Sequence, residues 1–248
     1  MARSLSTRGR FAVAYLLLGA AVGAGIGGFL VLVRKPPPQP GPPWSSWQPA
    51  ATALDAQVLE IADHVGRAYH LPSGDQLTAV KVGGPTDGEG IRAIIVPNKP
   101  DPKTLGDFAR YDKSKSIIFV LCGAGQNCKI NEGQPSQARG TVLRREALEL
   151  ALYTLEYAKP IDNVLVFVPP GPKEKTLTST LFFRRSDLSS HLSHPLRNTL
   201  PHEPPLPGRI AATERATVDA LTGSSLYKYV GILPANGYGK VLAIAPAA

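Results

Sequence analysis

Residues 11–33 read FAVAYLLLGAAVGAGIGGFLVLV, 23 consecutive positions without a charge. As a helix rising 1.5 Å per residue this segment is about 34 Å long, enough to cross a hydrocarbon layer of about 30 Å. Lipid offers no hydrogen bonds, so the backbone has to satisfy itself internally, and helix is expected despite the glycines. A cleaved signal peptide has a shorter apolar core, about 7–15 residues, followed by small residues. Here the run ends in Leu30–Val33, then Arg34, Lys35 and prolines. The sequence therefore predicts one uncleaved transmembrane helix over 11–33, preceded by a short basic tail, 1–10.

Arg3, Arg8 and Arg10 precede the segment, and Arg34 and Lys35 come after it. The positive-inside rule places the N-terminus in the cytoplasm and the rest of the chain outside, in the cell envelope. Gly19, Gly23 and Gly27 recur every fourth residue. On a helix they form one row of small residues that lets two backbones approach, so this face is expected to support a homodimer within the bilayer.

Residues 34–50 contain seven prolines in seventeen positions. Proline fixes φ, so this is read as a stiff extended linker that adds little core. Trp44 and Trp47 at its end suit the headgroup interface, or alternatively pack onto the domain after it, and a third reading makes the segment a proline-rich ligand for a partner groove.

The formal charge of +8 first suggests a nucleic-acid partner. Five of the 27 basic residues flank the apolar segment, and no acidic residue precedes Asp55, leaving 22 basic against 19 acidic residues for the domain. That is an ordinary surface balance, and no nucleic-acid partner is expected. The flanking charges are assigned to lipid headgroups.

Residues 51–248 are expected to form one globular domain. Thr52-x-x-Asp55 resembles a capping box, and Leu54, Val58, Leu59, Ile61, Ala62 and Val65 carry a helical period, predicting a helix over 52–69. Strands are predicted at 76–82, 91–96, 116–121, 163–168 and 178–184, with a short helix at 104–111 and a longer one at 141–158. Arg145 and Glu149 are spaced to pair in the longer helix. Residues 186–210 read as irregular, 213–221 as a short helix, and 226–233 with 240–244 as a hairpin around Asn236-Gly237. The alternation over 91–168 predicts a partly parallel βαβ core. The expected fold is a mixed α/β sheet with antiparallel hairpins, preceded by the transmembrane helix.

In such sheets ligands sit beyond the carboxyl ends of parallel strands. The loops at Pro97-Asn98-Lys99, Cys122–Gly125 and Pro169-Pro170-Gly171 are therefore expected along one edge. Gly123 and Gly125 imitate part of a dinucleotide fingerprint, but Cys128 occupies the third glycine position and no helix opens at the loop, so no such cofactor is expected. Cys122 and Cys128, the only cysteines, are six apart and predict a disulfide in an oxidising compartment. His191, His194 and His202, with Glu203, gather in one segment without ligand spacing, so no metal is expected. Arg184, Arg185 and Asp187 are read as surface charges. No nucleophile elbow, phosphate loop or zinc-helix motif occurs. The functional expectation is a membrane-anchored extracytoplasmic domain that binds or scaffolds in the envelope. The alternative is an anchored hydrolase using the strand-end loops or the His191/His194 segment.

Overall fold

The computed structural model describes residues 7–34, 43–84, 90–99, 102–133, 135–171, 175–201, 203–235 and 239–247. The chain divides into two units, residues 1–42 and 43–248.

Among the described residues the first unit is a single helix, α1, Thr7–Arg34. Its side chains are placed from Phe11 to Ile26 and at Phe29, and all of these are exposed. Among the described residues no helix is long and apolar enough to cross a membrane.

The second unit begins at Pro43, inside the segment read as linker. Trp47 stacks on His64 at 3.9 Å, and Trp44 meets the Tyr153 ring edge-on at 5.5 Å. Leu196 N–H donates to the Trp44 carbonyl at 2.7 Å, and Ser45 Oγ lies 2.8 Å from the Tyr157 hydroxyl. The two indoles therefore pack onto the domain, and their apolar surface is used there.

Helix α2 (Leu54–Ala68) comes next, then β1 (Ala79–Val82), β2 (Ile91–Pro97), β3 (Phe108–Asp112), β4 (Ser116–Cys122), α3 (Gln137–Tyr157), β5 (Asn163–Phe167), β6 (Ser179–Arg184), α4 (Arg185–Leu192), α5 (Ala212–Gly223), β7 (Leu226–Ala235) and β8 (Gly239–Pro246). The eight strands form one mixed sheet in the order β1-β4-β5-β6-β7-β8-β2-β3. The pairs β4/β5 and β2/β8 are parallel, and the others antiparallel.

Topology requires this sheet to roll. β3 and β4 lie six strand spacings apart, about 29 Å if the sheet were flat. Only Lys113–Lys115 join them, and the four steps from Asp112 to Ser116 reach at most about 14 Å. The outer edge accordingly curls back: the Tyr111 ring on β3 meets Phe182 on β6 edge-on at 4.8 Å.

Rolling gives the sheet an inside and an outside, and alternation along the strands fills both. Phe119, Leu121, Val164, Val166, Leu181 and Phe183 face one core, which α2, α3, α4 and α5 cover. Ile118, Val120, Leu165, Phe167 and Phe182 face a second core, whose buried members all come from strands. β5 is thus buried at every residue, as a strand covered on both faces must be.

Several local expectations are corrected. Residues 104–111 are not a helix. Asp107 Oδ2 accepts from the N–H groups of Lys103 and Thr104 at 2.7 and 2.8 Å, closing a turn, and residues from Phe108 onward pair with β2. The predicted parallel neighbours of 91–168 reduce to β4–α3–β5, because β2 pairs with β8 instead. Thr52 forms no capping box, since the N-cap of α2 is Ala53 without a side-chain bond. The irregular stretch 186–210 contains α4, held by Leu188 in the core and by Arg185 Nη2 donating to the Ile161 carbonyl at 2.6 Å. The Asn236-Gly237 turn lies outside the described residues, although the β7/β8 hairpin around it is formed.

Candidate functional site

The direction of each strand decides which predicted loops meet. β4 and β5 are parallel neighbours, so Cys122–Gly125 and Pro169–Gly171 share an edge. β2 runs the opposite way around the sheet, which carries Pro97-Asn98-Lys99 to the other end, where Asn98 N–H bonds Asp107 O within the β2–β3 turn.

Cys122 and Cys128 are joined by a disulfide. A thiolate nucleophile at either position is thereby removed, and no free cysteine remains. The glycines of this loop serve close approach. Gly123 N–H donates to Cys128 O at 2.9 Å, and a Cβ at Gly123 would lie 2.4 Å from the Lys129 carbonyl oxygen.

Behind the shared edge starts α3. It begins at Gln137, four residues before the predicted start, and Ser136 caps it by accepting from Arg139 N–H at 3.2 Å. A capping box would continue with Glu or Gln three residues after the cap. Arg139 stands there instead, and no acidic residue occupies the first turn. A cation at this point opposes the positive end of the helix dipole, at a cost of about 0.3–1 kcal/mol. Gly133 makes room for it: its φ of 65° is left-handed, and a Cβ there would come within 2.6 Å of Arg139 Nη2.

Two adjoining clefts open at this corner. One, about 390 Å³, is lined by Gln137, Leu143 and Arg144 on α3 and by Pro169, Ser179 and Leu226 on the sheet side. The other, about 280 Å³, is lined by Lys129, Ile130, Ser136 and Arg139 opposite Pro170 and Gly171. Gly140, Leu143, Pro169 and Gly171 belong to both. Arg144 pairs through Nη2 with Asp219 on α5. The Nε atoms of Arg139 and Arg144 are each buried without a hydrogen-bond partner among the described residues. Arg139 alone stands in the first turn of α3, where an anion would meet charge, donors and dipole together.

The other predicted site residues are occupied locally. His191 Nδ1 lies 3.0 Å from Thr199 Oγ1, and His194 Nδ1 lies 2.8 Å from Ser190 O. Glu203 is exposed, and His202 lies outside the described residues. Arg184 pairs with Asp187 at 2.6 Å, and Arg185 bonds the Ile161 carbonyl. Among the described residues no group of His, Cys, Asp and Glu is placed to hold a metal ion. Gly19 and Gly23 on α1 have open space where a Cβ would stand; the side position of Gly27 lies outside the described residues.

Away from the clefts, α3 carries a buried ionic group. The Arg145 side chain is wholly buried; it contacts Glu149 at 2.8 Å, Glu214 at 2.5 Å and the Pro201 carbonyl at 2.8 Å, and also donates to the Tyr69 hydroxyl. Glu146 is fully buried, accepts from Thr78 Oγ1 at 2.7 Å, and leaves Oε2 unpartnered among the described residues. Burial pushes its pKa up to about 8, so it carries its proton at neutral pH. Burial also raises Glu149, against the pull of Arg145.

Comparison with family models, with curated proteins and with solved structures yields no match.

Proposed function

We propose that this protein is a single-pass, membrane-anchored binding module of the cell envelope, whose domain takes up the anionic group of a ligand, a phosphate or carboxylate, at the N-terminus of α3. The observation that carries the ligand class is Arg139. It stands at the third position of α3, against the dipole, beside a cleft, with its Nε buried and unpartnered among the described residues. Arg144 reinforces the same corner from the next turn. Protein interiors pair their buried donors, so such an atom beside each of two adjoining clefts argues for a missing acceptor.

The anchor is supported by a continuous helix, Thr7–Arg34, that contains the charge-free segment, and by the exposure of Phe11, Tyr15, Leu16, Leu17, Leu18 and Ile26 on it. Apolar side chains exposed on every side of a helix need an apolar solvent, and lipid supplies one. The disulfide supports an oxidising compartment for the domain, hence an outward orientation with the N-terminus in the cytoplasm. Gly19, Gly23 and Gly27 offer the face through which two such helices would associate.

Titration of the full chain in detergent with inorganic phosphate tests the ligand class. Binding that weakens at least tenfold on Arg139→Gln is expected; equal affinity for both proteins would remove the reading.

A further inference from the structure

The disulfide loop does more than end a strand. Cys122 closes β4, and Cys128 returns to it with a Cα–Cα distance of 4.2 Å, so residues 123–127 are pinched out of the path to α3. The two residues that make the return, Asn127 and Cys128, have φ of 54° and 62°. Two consecutive non-glycine residues in the left-handed region are strained, and persist only where the surroundings hold them. Two backbone hydrogen bonds, Gly123 N–H to Cys128 O and Gly125 N–H to Lys129 O, hold the loop beside the covalent bond.

The chain leaving the loop forms a wall of the anion cleft. Lys129 and Ile130 line it, and Ile130 packs on the helix-covered core while Cys128 packs on the strand-lined one. On its other side the same chain bounds a separate groove of about 520 Å³, with Cys122, Gly123, Ala124, Ile130 and Asn131 opposite Leu71–Ala79. Ile130 therefore lines both cavities, on a stretch of chain fixed at its start by the disulfide.

We infer that the Cys122–Cys128 bond is a redox latch on the anion cleft: oxidised, it holds Lys129 and Ile130 in the wall, and reduced, it lets that wall relax and the cleft lose its ligand. The inference rests on the anion-binding reading of the α3 cleft. The reductant is an external dithiol. One of its thiolates attacks a sulfur of the Cys122–Cys128 bond, which breaks as a mixed disulfide forms. Its second thiol then displaces the protein sulfur and closes the reductant's own disulfide. Cys122 and Cys128 end as thiols, having gained two electrons and two protons from the dithiol. With the ring open, the left-handed pair at 127–128 is no longer enforced, and both residues return to ordinary backbone regions. The cleft is then a property of the exported, oxidised protein and is unformed in a reducing compartment.

The test uses the full chain in detergent, oxidised, reduced with a dithiol, and as the Cys122→Ser/Cys128→Ser double variant. Amide hydrogen exchange is read at Gly123, Gly125 and Lys129, whose N–H groups are hydrogen-bonded, with β5 and β6 as the measure of intact fold. Phosphate affinity is read by calorimetry. Reduction and the double variant are expected to speed exchange at these three amides at least tenfold, to leave β5 and β6 protected, and to weaken phosphate at least tenfold. Unchanged exchange at Gly123, Gly125 and Lys129 in both forms would overturn the latch. If the oxidised protein does not bind phosphate, the anion reading falls, and the exchange rates alone decide whether the disulfide holds the wall.

Discussion

Arg145 on α3 and Glu214 on α5, 69 residues apart in the chain, form an ion pair of 2.5 Å in which the arginine is wholly buried. The same guanidinium reaches Glu149 and the Tyr69 hydroxyl, so one side chain joins α3, α5 and the segment after α2. Removing it leaves two carboxylates inside without a cation. Arg145→Met is expected to destabilise the domain by about 3–5 kcal/mol, read by urea denaturation, because an uncompensated buried charge is far costlier than the pair is favourable. Adding Glu214→Gln to that variant should recover part of the loss.

Glu146 makes stability depend on pH. Folded, it holds its proton up to about pH 8; its ordinary value is 4.5. Between those values the folded chain binds more protons than the unfolded one. Its contribution is therefore complete below pH 4.5, declines by up to about 1.4 kcal/mol per pH unit as pH rises toward 8, and levels off above. Thr78, Glu149 and Tyr69 are the groups facing it. Glu146→Gln keeps an acceptor for Thr78 and does not titrate, so denaturation midpoints measured from about pH 5 to 9 should lose that slope.

Arg139→Glu separates stability from function at the cleft. It completes the capping box begun by Ser136 and matches the dipole, so the melting temperature should rise, with a gain of about 0.3–1 kcal/mol. Phosphate binding should disappear in the same protein. A variant that binds phosphate as before would exclude this corner as the site.

Two measurements address the anchor. Ala216 is exposed on α5. Ala216→Cys is expected to react with a membrane-impermeant maleimide in intact cells; labelling only after lysis would reverse the orientation. Gly23→Ile fills the small-residue row on α1 and should lower self-association in a membrane two-hybrid assay.

Most strands were legible because alternation and β-branched runs are local signals: 91–96, 116–121, 163–168 and 178–184 all correspond to strands. Residues 104–111 misled because Thr-Leu-Gly-Asp carries helix-start chemistry, while the pairing with β2 that overrides it is non-local. The site was half legible. The edge beyond β4 and β5 comes from parallel pairing, and the disulfide from cysteine spacing in an oxidising setting. Arg139 and Arg144 were missed, although Ser136 three residues before Arg139 was a readable signal of a helix starting at 137 with the wrong charge at its third position.

By itself the sequence determined the charge-free helical segment, the mixed α and β content and the pairing of its two cysteines. Each of these depends on residue type and short spacing, which local physics reads directly. The rolled sheet, the direction of β2, the burial of Arg145 and the placing of Arg139 and Arg144 beside two adjoining clefts were decided only by tertiary structure. Each depends on which distant strands and helices pair, and that choice is made by packing and chain connectivity rather than by any short window.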